Sequence, residues 1–148
     1  FLWGSEEPRE VTRRMAAISG LNMASYNDGS AWFGAEYLFV ADYGLGGYYD
    51  IHTDCLGETG RMATILVYLS DVTLGGATVF PNLGIAVYPE KGAGVLWYNR
   101  DHEGKCSGWF QHSGCPVLLG HKWVANKWVS AKNQTRICTA VKREEEKN

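Results

Sequence analysis

His52-Thr53-Asp54 is the string in this sequence best suited to holding a metal ion. In a strand, side chains two residues apart point to the same face, with about 6.5–7 Å between their Cα atoms, so both can reach one ion. A third ligand from a distant strand would complete a face of two histidines and one carboxylate, which leaves positions open on Fe(II) for a chelating cosubstrate and O₂. The chain has four histidines. His102 sits in a polar loop and His121 follows Gly120 at the start of a strand, so His112 is the natural third ligand.

A lone His-x-Asp is common by chance, and a histidine in a strand is more often a hydrogen-bonded scaffold residue than a ligand. Lys122 changes the weighing. It stands ten residues after His112 amid Gly120, Trp123 and Trp128, company that a solvated lysine does not need. A buried ammonium requires an anion, and the far carboxylate of a dicarboxylic acid would supply one while the other end of the molecule chelates the metal.

These residues must be held by short strands. Glu36 to Tyr43, Gly47 to Asp54, Arg61 to Leu69, Thr78 to Phe80, Ile85 to Tyr88, Gly94 to Tyr98, Gly114 to Leu119 and Lys122 to Val129 are rich in Val, Ile, Tyr and Trp and are separated by Gly, Pro and Asp. Before them, Val11, Met15 and Ile18 recur at helical spacing between Pro8 and Gly20, predicting one amphipathic helix over Glu7 to Leu21. Residues Asn22 to Ala31 are polar and small, with a turn signal at Asn27-Asp28-Gly29. The expected fold is mainly β, a double-stranded β-helix (jelly roll) with at least one N-terminal packing helix. The expected organisation is one domain over residues 1–140, lacking some N-terminal elements, followed by a charged tail over 141–148.

With 148 residues the chain has the size of one domain, and its formal net charge of −2 gives no reason to expect nucleic acid or an anionic membrane as a partner. No apolar stretch approaches the roughly 20 residues of a membrane span. The four cysteines, Cys55, Cys106, Cys115 and Cys138, contain no Cys-x-x-Cys pair of the kind used by zinc or redox sites. With the Asn133-Gln134-Thr135 sequon they favour an oxidising compartment.

The string Ala41-Asp42-Tyr43-Gly44-Leu45-Gly46-Gly47-Tyr48-Tyr49-Asp50-Ile51-His52-Thr53-Asp54 resembles the metal-binding strand of the collagen prolyl 4-hydroxylase α-subunit family. Tyr68-Leu69-Ser70-Asp71-Val72 with Gly75 to Pro81 resembles the family's next hairpin, and Lys91-Gly92, Trp97-Tyr98-Asn99, His112, Cys115-Pro116-Val117-Leu118 and Gly120-His121-Lys122-Trp123 follow in its order. The resemblance runs from about Trp3 to Cys138. It implies an Fe(II)- and 2-oxoglutarate-dependent dioxygenase that hydroxylates peptidyl proline in collagen-like X-Pro-Gly sequences, releasing succinate and CO₂, with ascorbate as reductant. His52, Asp54 and His112 would ligate the iron and Lys122 would bind the 5-carboxylate of 2-oxoglutarate, assisted by Tyr43 and Thr78. Tyr49, Arg61 and Trp128 would line the peptide groove. The aromatic residues Tyr49, Trp97, Tyr98, Trp123 and Trp128 would suit a polyproline II peptide.

The resemblance further implies the endoplasmic reticulum lumen, protein disulfide isomerase as a β subunit in an α₂β₂ assembly, and a Cys115–Cys138 disulfide. Cys55 and Cys106 lie outside the family pattern and are expected to pair with each other, tying down the rim of the site. Ile51 departs from the family's proline, and the segment from Cys55 to Arg61 is shorter than usual, which bears on substrate entry. Two other readings compete. A zinc hydrolase could use the same three ligands but would leave Lys122 unexplained, and a proline-rich peptide-binding module could keep the fold without the chemistry.

Overall fold

The computed structural model describes residues 9–27, 29, 32–55, 57 and 60–134. Helix α1 (Arg9–Ser19) is followed by β1 (Ser25–Asn27), β2 (Trp32–Gly34), β3 (Phe39–Tyr43), β4 (Tyr49–His52), β5 (Arg61–Tyr68), β6 (Leu74–Gly75), β7 (Thr78–Phe80), β8 (Ile85–Val87), β9 (Gly94–Tyr98), β10 (His112–Gly114), β11 (Val117–Leu119) and β12 (Lys122–Ser130). A major sheet of order β3-β12-β5-β9 and a minor sheet of order β4-β10-β7-β8 carry the architecture, with two-stranded β11-β6 and β1-β2 pieces beside them. Every named pairing is antiparallel. The fold is the expected jelly roll with one packing helix.

Strand β5 is central to the major sheet and is buried along most of its length. Its alternation splits the core in two. Ala63 and Ile65, with Val129 of β12, pack on one face against Met15 of α1, Leu21 and Met23. Leu66 and Tyr68 point to the other face, where they cluster with Phe80, Trp97 and Val124. The helix thus covers the outside of the major sheet, and the inside faces the minor sheet.

Strand β12 obeys the same two-residue period: Lys122, Val124, Asn126 and Trp128 all line the cavity between the sheets. Its neighbour Trp123 is 44% exposed, so Lys122 owes its burial to the inner face of the roll and not to that tryptophan. A register shift between Val129 and Ser130 opposite β5 puts a bulge at Met62. Without it, odd-numbered Arg61 would follow Ala63 and Ile65 outward; the extra residue turns it to the inner face, where it joins the cavity lining.

Several boundaries differ from those expected. Glu36 to Leu38 lie outside β3, and Gly114 to Leu119 divides into β10 and β11 at Cys115-Pro116, where a central proline cannot donate to a ladder. Strand β4 ends at His52, so Asp54 lies beyond it. Strand β1 lies within the Asn22 to Ala31 stretch that reads as polar loop, and its partner β2 begins at Trp32, where that stretch ends. Gly75 is required by close approach: its φ is +81° and a Cβ there would lie 2.3 Å from the Pro116 carbonyl oxygen.

Candidate active site

His52 closes β4, and His112 opens β10 directly opposite it in the ladder. That register sets the two rings 4.3 Å apart between centroids. The chain leaves the sheet after His52, which lets Asp54 turn its carboxylate back between the rings: Oδ1 is 3.7 Å from His52 Nε2 and Oδ2 is 3.6 Å from His112 Nε2. The ligand atoms of His52, Asp54 and His112 all lie within 4.8 Å of one another, so one ion can reach all three.

Each histidine is oriented by its own backbone. His52 Nδ1 lies 2.7 Å from the Asp50 carbonyl and His112 Nδ1 lies 3.0 Å from the Phe110 carbonyl. A carbonyl can only accept, so each Nδ1 carries the proton and each Nε2 keeps its lone pair toward Asp54. Burial holds the His112 pKa below its ordinary value, with the Phe110 carbonyl and Asp54 opposing the shift, and a neutral imidazole is the metal-binding form. Trp97 packs edge-on against His112 with ring centroids 4.7 Å apart, and Phe80 lies 5.7 Å away.

Lys122 is 4% exposed. Its Nζ donates to Thr78 Oγ1 at 3.3 Å and faces the Tyr43 and Tyr68 rings at 5.8 and 5.7 Å. Among the described residues no carboxylate pairs with it. Burial lowers its pKa to about 8, with Cys115 opposing the shift. The same burial raises the Tyr43 pKa, Tyr49 adding to the effect, so that phenol stays neutral. Tyr68, which sequence reasoning missed, is fully buried and donates to Thr78 Oγ1 at 2.9 Å.

The triad and Lys122 open on one cavity of about 570 Å³, which Tyr43, Tyr49, Arg61, Thr78 and Trp128 also line. Arg61 stacks on Trp128 with its Cζ 3.7 Å from the ring centroid, and its Nε and Nη2 donate to the two oxygens of Glu36 at 2.6 and 3.0 Å. Tyr49 is half exposed and meets His52 edge-on at 4.2 Å. Of the aromatic residues expected in the groove, Tyr98 and Trp123 lie outside this lining, since strand alternation sends them to the opposite face. His102 and His121 are on the surface, the latter 3.5 Å from Asp42.

Cys55 and Cys106 form a disulfide. Cys138 and Thr135 lie outside the described residues, and with them the expected Cys115–Cys138 pair, the complete sequon and the charged tail. Sequence reasoning also missed Thr64 and Asn99, both fully buried behind Asp54. A threonine in the middle of an apolar strand and an asparagine directly after another were the available signals.

Residues 38–130 match the family model described as the 2OG-Fe(II) oxygenase superfamily. The chain belongs to the 2OG-Fe(II) oxygenase superfamily. This oxygenase domain is 40% identical over 154 residues to human prolyl 4-hydroxylase subunit alpha-1, covering 94% of the chain and 27% of that relative. To the alpha-2 subunit of Caenorhabditis elegans it is 43% identical over 141 residues, covering 86% of the chain and 24% of the relative. The chain therefore spans about a quarter of the length of these relatives. Among solved structures it is similar to the viral collagen prolyl hydroxylase of Paramecium Bursaria Chlorella virus-1 in its 2OG complex, with a TM-score of 0.67, 30% identity, and coverage of 88% of this chain and 76% of that one.

The residues fit the group this superfamily is named for. Two neutral imidazole nitrogens and a carboxylate are a donor set for Fe(II), and the buried, unneutralised ammonium of Lys122 is a receptor for a carboxylate.

Proposed function

We propose that this domain hydroxylates peptidyl proline to 4-hydroxyproline in collagen-like X-Pro-Gly sequences, with His52, Asp54 and His112 as the iron ligands and Lys122 as the receptor for the 5-carboxylate of 2-oxoglutarate. The observation that carries the reading is the sharing of one cavity by a complete ligand triad and a buried lysine with no carboxylate partner among the described residues. A desolvated ammonium is costly until an anion arrives, so the site favours a small dicarboxylate over neutral ligands. When bound, Fe(II) and 2-oxoglutarate would supply the electrons that activate O₂ for C–H hydroxylation, one oxygen atom going to proline and the other to succinate, with release of CO₂.

The chain's own part is positioning. The Asp50 and Phe110 carbonyls aim the two histidines, and Thr78, already held by Tyr68, steadies the Lys122 ammonium. Tyr43 adds a neutral phenol to the same end of the cavity. Tyr49, Arg61 and Trp128 line the cavity and provide flat surfaces for a polyproline II peptide, which arrives extended and loses little entropy on binding. Ascorbate as reductant, the endoplasmic reticulum lumen and a protein disulfide isomerase partner belong to the same proposal and rest on the sequence resemblance. The Cys55–Cys106 disulfide adds a physical reason for an oxidising compartment.

Against a zinc hydrolase stands the lining itself: among the described residues its sole carboxylate is Asp54, so no second carboxylate remains to serve as general base once that group ligates. The test is anaerobic absorbance of the Fe(II)- and 2-oxoglutarate-loaded chain. The expected result is a weak metal-to-ligand charge-transfer band that disappears in His112→Ala and Lys122→Ala. No band in a folded, iron-loaded wild type would return the zinc and binding-module readings.

A further inference from the structure

Behind the triad, two side chains form a polar spur into the core of the major sheet. Thr64 of β5 and Asn99, which follows β9, are both 0% exposed. Thr64 Oγ1 lies 2.7 Å from Asp54 Oδ2, and Asn99 Nδ2 lies 2.9 Å from Thr64 Oγ1. Apolar side chains of similar shape would fill both positions, and a buried polar group without its full set of partners costs about 1–3 kcal/mol. Asn99 carries that cost, since its Oδ1 is buried with no partner among the described residues. Its main chain is fixed on both sides: the amide donates to the Met62 carbonyl at 2.7 Å and its carbonyl accepts from Ser107 N at 2.9 Å.

The direction of the spur follows from donor and acceptor chemistry. An ionised carboxylate only accepts, so the single Thr64 hydrogen goes to Asp54. Thr64 Oγ1 must then accept from Asn99, which fixes the amide with its NH₂ group toward Thr64. The Asn99 donor in turn holds the hydroxyl hydrogen on the carboxylate. One lone pair of Asp54 Oδ2 is thereby engaged and the carboxylate anchored from behind, while no hydrogen bond to Oδ1 is found among the described residues. Arg61 Nη1, at 4.0 Å from Oδ1, is too far for a hydrogen bond.

We propose that Thr64 and Asn99 are a positioning pair that makes Asp54 a one-oxygen metal ligand of fixed orientation. The inference rests on the reading of His52, Asp54 and His112 as ligands and assigns the spur a function that its packing does not require. A carboxylate free to swing could chelate the metal through both oxygens and close a position that a cosubstrate needs.

The test is Co(II) binding by the full chain under anaerobic conditions, read by the Co(II) d–d spectrum, alongside thermal unfolding of the metal-free protein. Thr64→Val is expected to weaken Co(II) binding about 10- to 100-fold and to alter the spectrum, and Thr64→Ser to restore both. Asn99→Leu leaves Thr64 in place and removes the unpaired acceptor, so metal-free unfolding should be unchanged or higher while Co(II) binding falls about 10-fold. A structural role cannot produce opposite signs in those two readouts. Wild-type affinity and spectrum in both Thr64→Val and Asn99→Leu would overturn the proposal. Failure of the wild type to bind Co(II) more tightly than Asp54→Ala would instead overturn the ligand assignment, and the inference with it.

Discussion

Replacing Lys122 with methionine should stabilise the ligand-free chain while removing its cosubstrate site. The Lys122 ammonium is desolvated in the folded protein, where its pKa is about 8 against an ordinary 10.5. A difference of that size corresponds to an upper limit of about 3 kcal/mol of destabilisation at pH 7, where both states carry the proton. Methionine keeps the apolar stem and fills the irregular space. Thr78 keeps its bond from Tyr68, so little is lost in return. The expected gain is about 1–3 kcal/mol, or a Tm rise of roughly 3–10 °C for a domain of this size.

The pH dependence is the sharper part of this prediction. Between the folded pKa near 8 and the unfolded 10.5 the unfolded chain holds more protons, so wild-type stability rises with pH across that window. The advantage of Lys122→Met is therefore full at pH 7 and shrinks above pH 8. Urea unfolding of both proteins at pH 7 and pH 9.5, without metal or cosubstrate, measures it. With the metal site saturated in both proteins, 2-oxoglutarate at a hundred times Kd should then raise wild-type stability by about a further 2.7 kcal/mol and leave the metal-loaded variant unmoved. A variant less stable than wild type at pH 7, or an advantage independent of pH, would refute the claim that an unneutralised ammonium is stored there.

Replacing both Cys55 and Cys106 with serine should cost about 2–4 kcal/mol by urea unfolding, since the bridge closes a loop with a sequence separation of 51. Non-reducing peptide mapping should recover Cys55 with Cys106, and is expected to find Cys115 with Cys138; any other pairing refutes the proposed connectivity. Gly75→Ala should cost at least about 2 kcal/mol of stability by urea unfolding, because a Cβ would meet the Pro116 carbonyl at 2.3 Å in a backbone with φ of +81°. His102→Ala and His121→Ala should leave Co(II) affinity at the wild-type value, since 89% and 65% of those side chains are exposed and neither lines the cavity.

The site residues that carry charge or bind metals were legible from their types and spacing, with His112 reached by elimination among four histidines. A histidine and an aspartate two apart, and a lysine among aromatics, stand out against Val, Ile and Tyr. Their support was not legible. Thr64 looks like an ordinary β-branched strand residue, and only the fold shows that it meets Asp54. Tyr68 reads as core until the β7 strand brings Thr78 to its hydroxyl. The inward turn of Arg61 depends on a bulge that periodicity cannot reveal, since an extra residue inverts the faces that follow. Strand positions were close where turn residues flank them, as at Gly94–Tyr98, and failed at β1, whose three-residue length leaves no alternation to count.

The central claim is tested most directly by incubating the chain with Fe(II), 2-oxoglutarate, O₂, ascorbate and a synthetic peptide of Pro-Pro-Gly repeats, then sequencing the peptide by mass spectrometry and measuring succinate. The account predicts one added oxygen on the proline preceding glycine, recovered as 4-hydroxyproline, with succinate formed in equal amount and both products lost in Lys122→Met. An unmodified peptide and no succinate from a folded chain that binds iron and cosubstrate would contradict it.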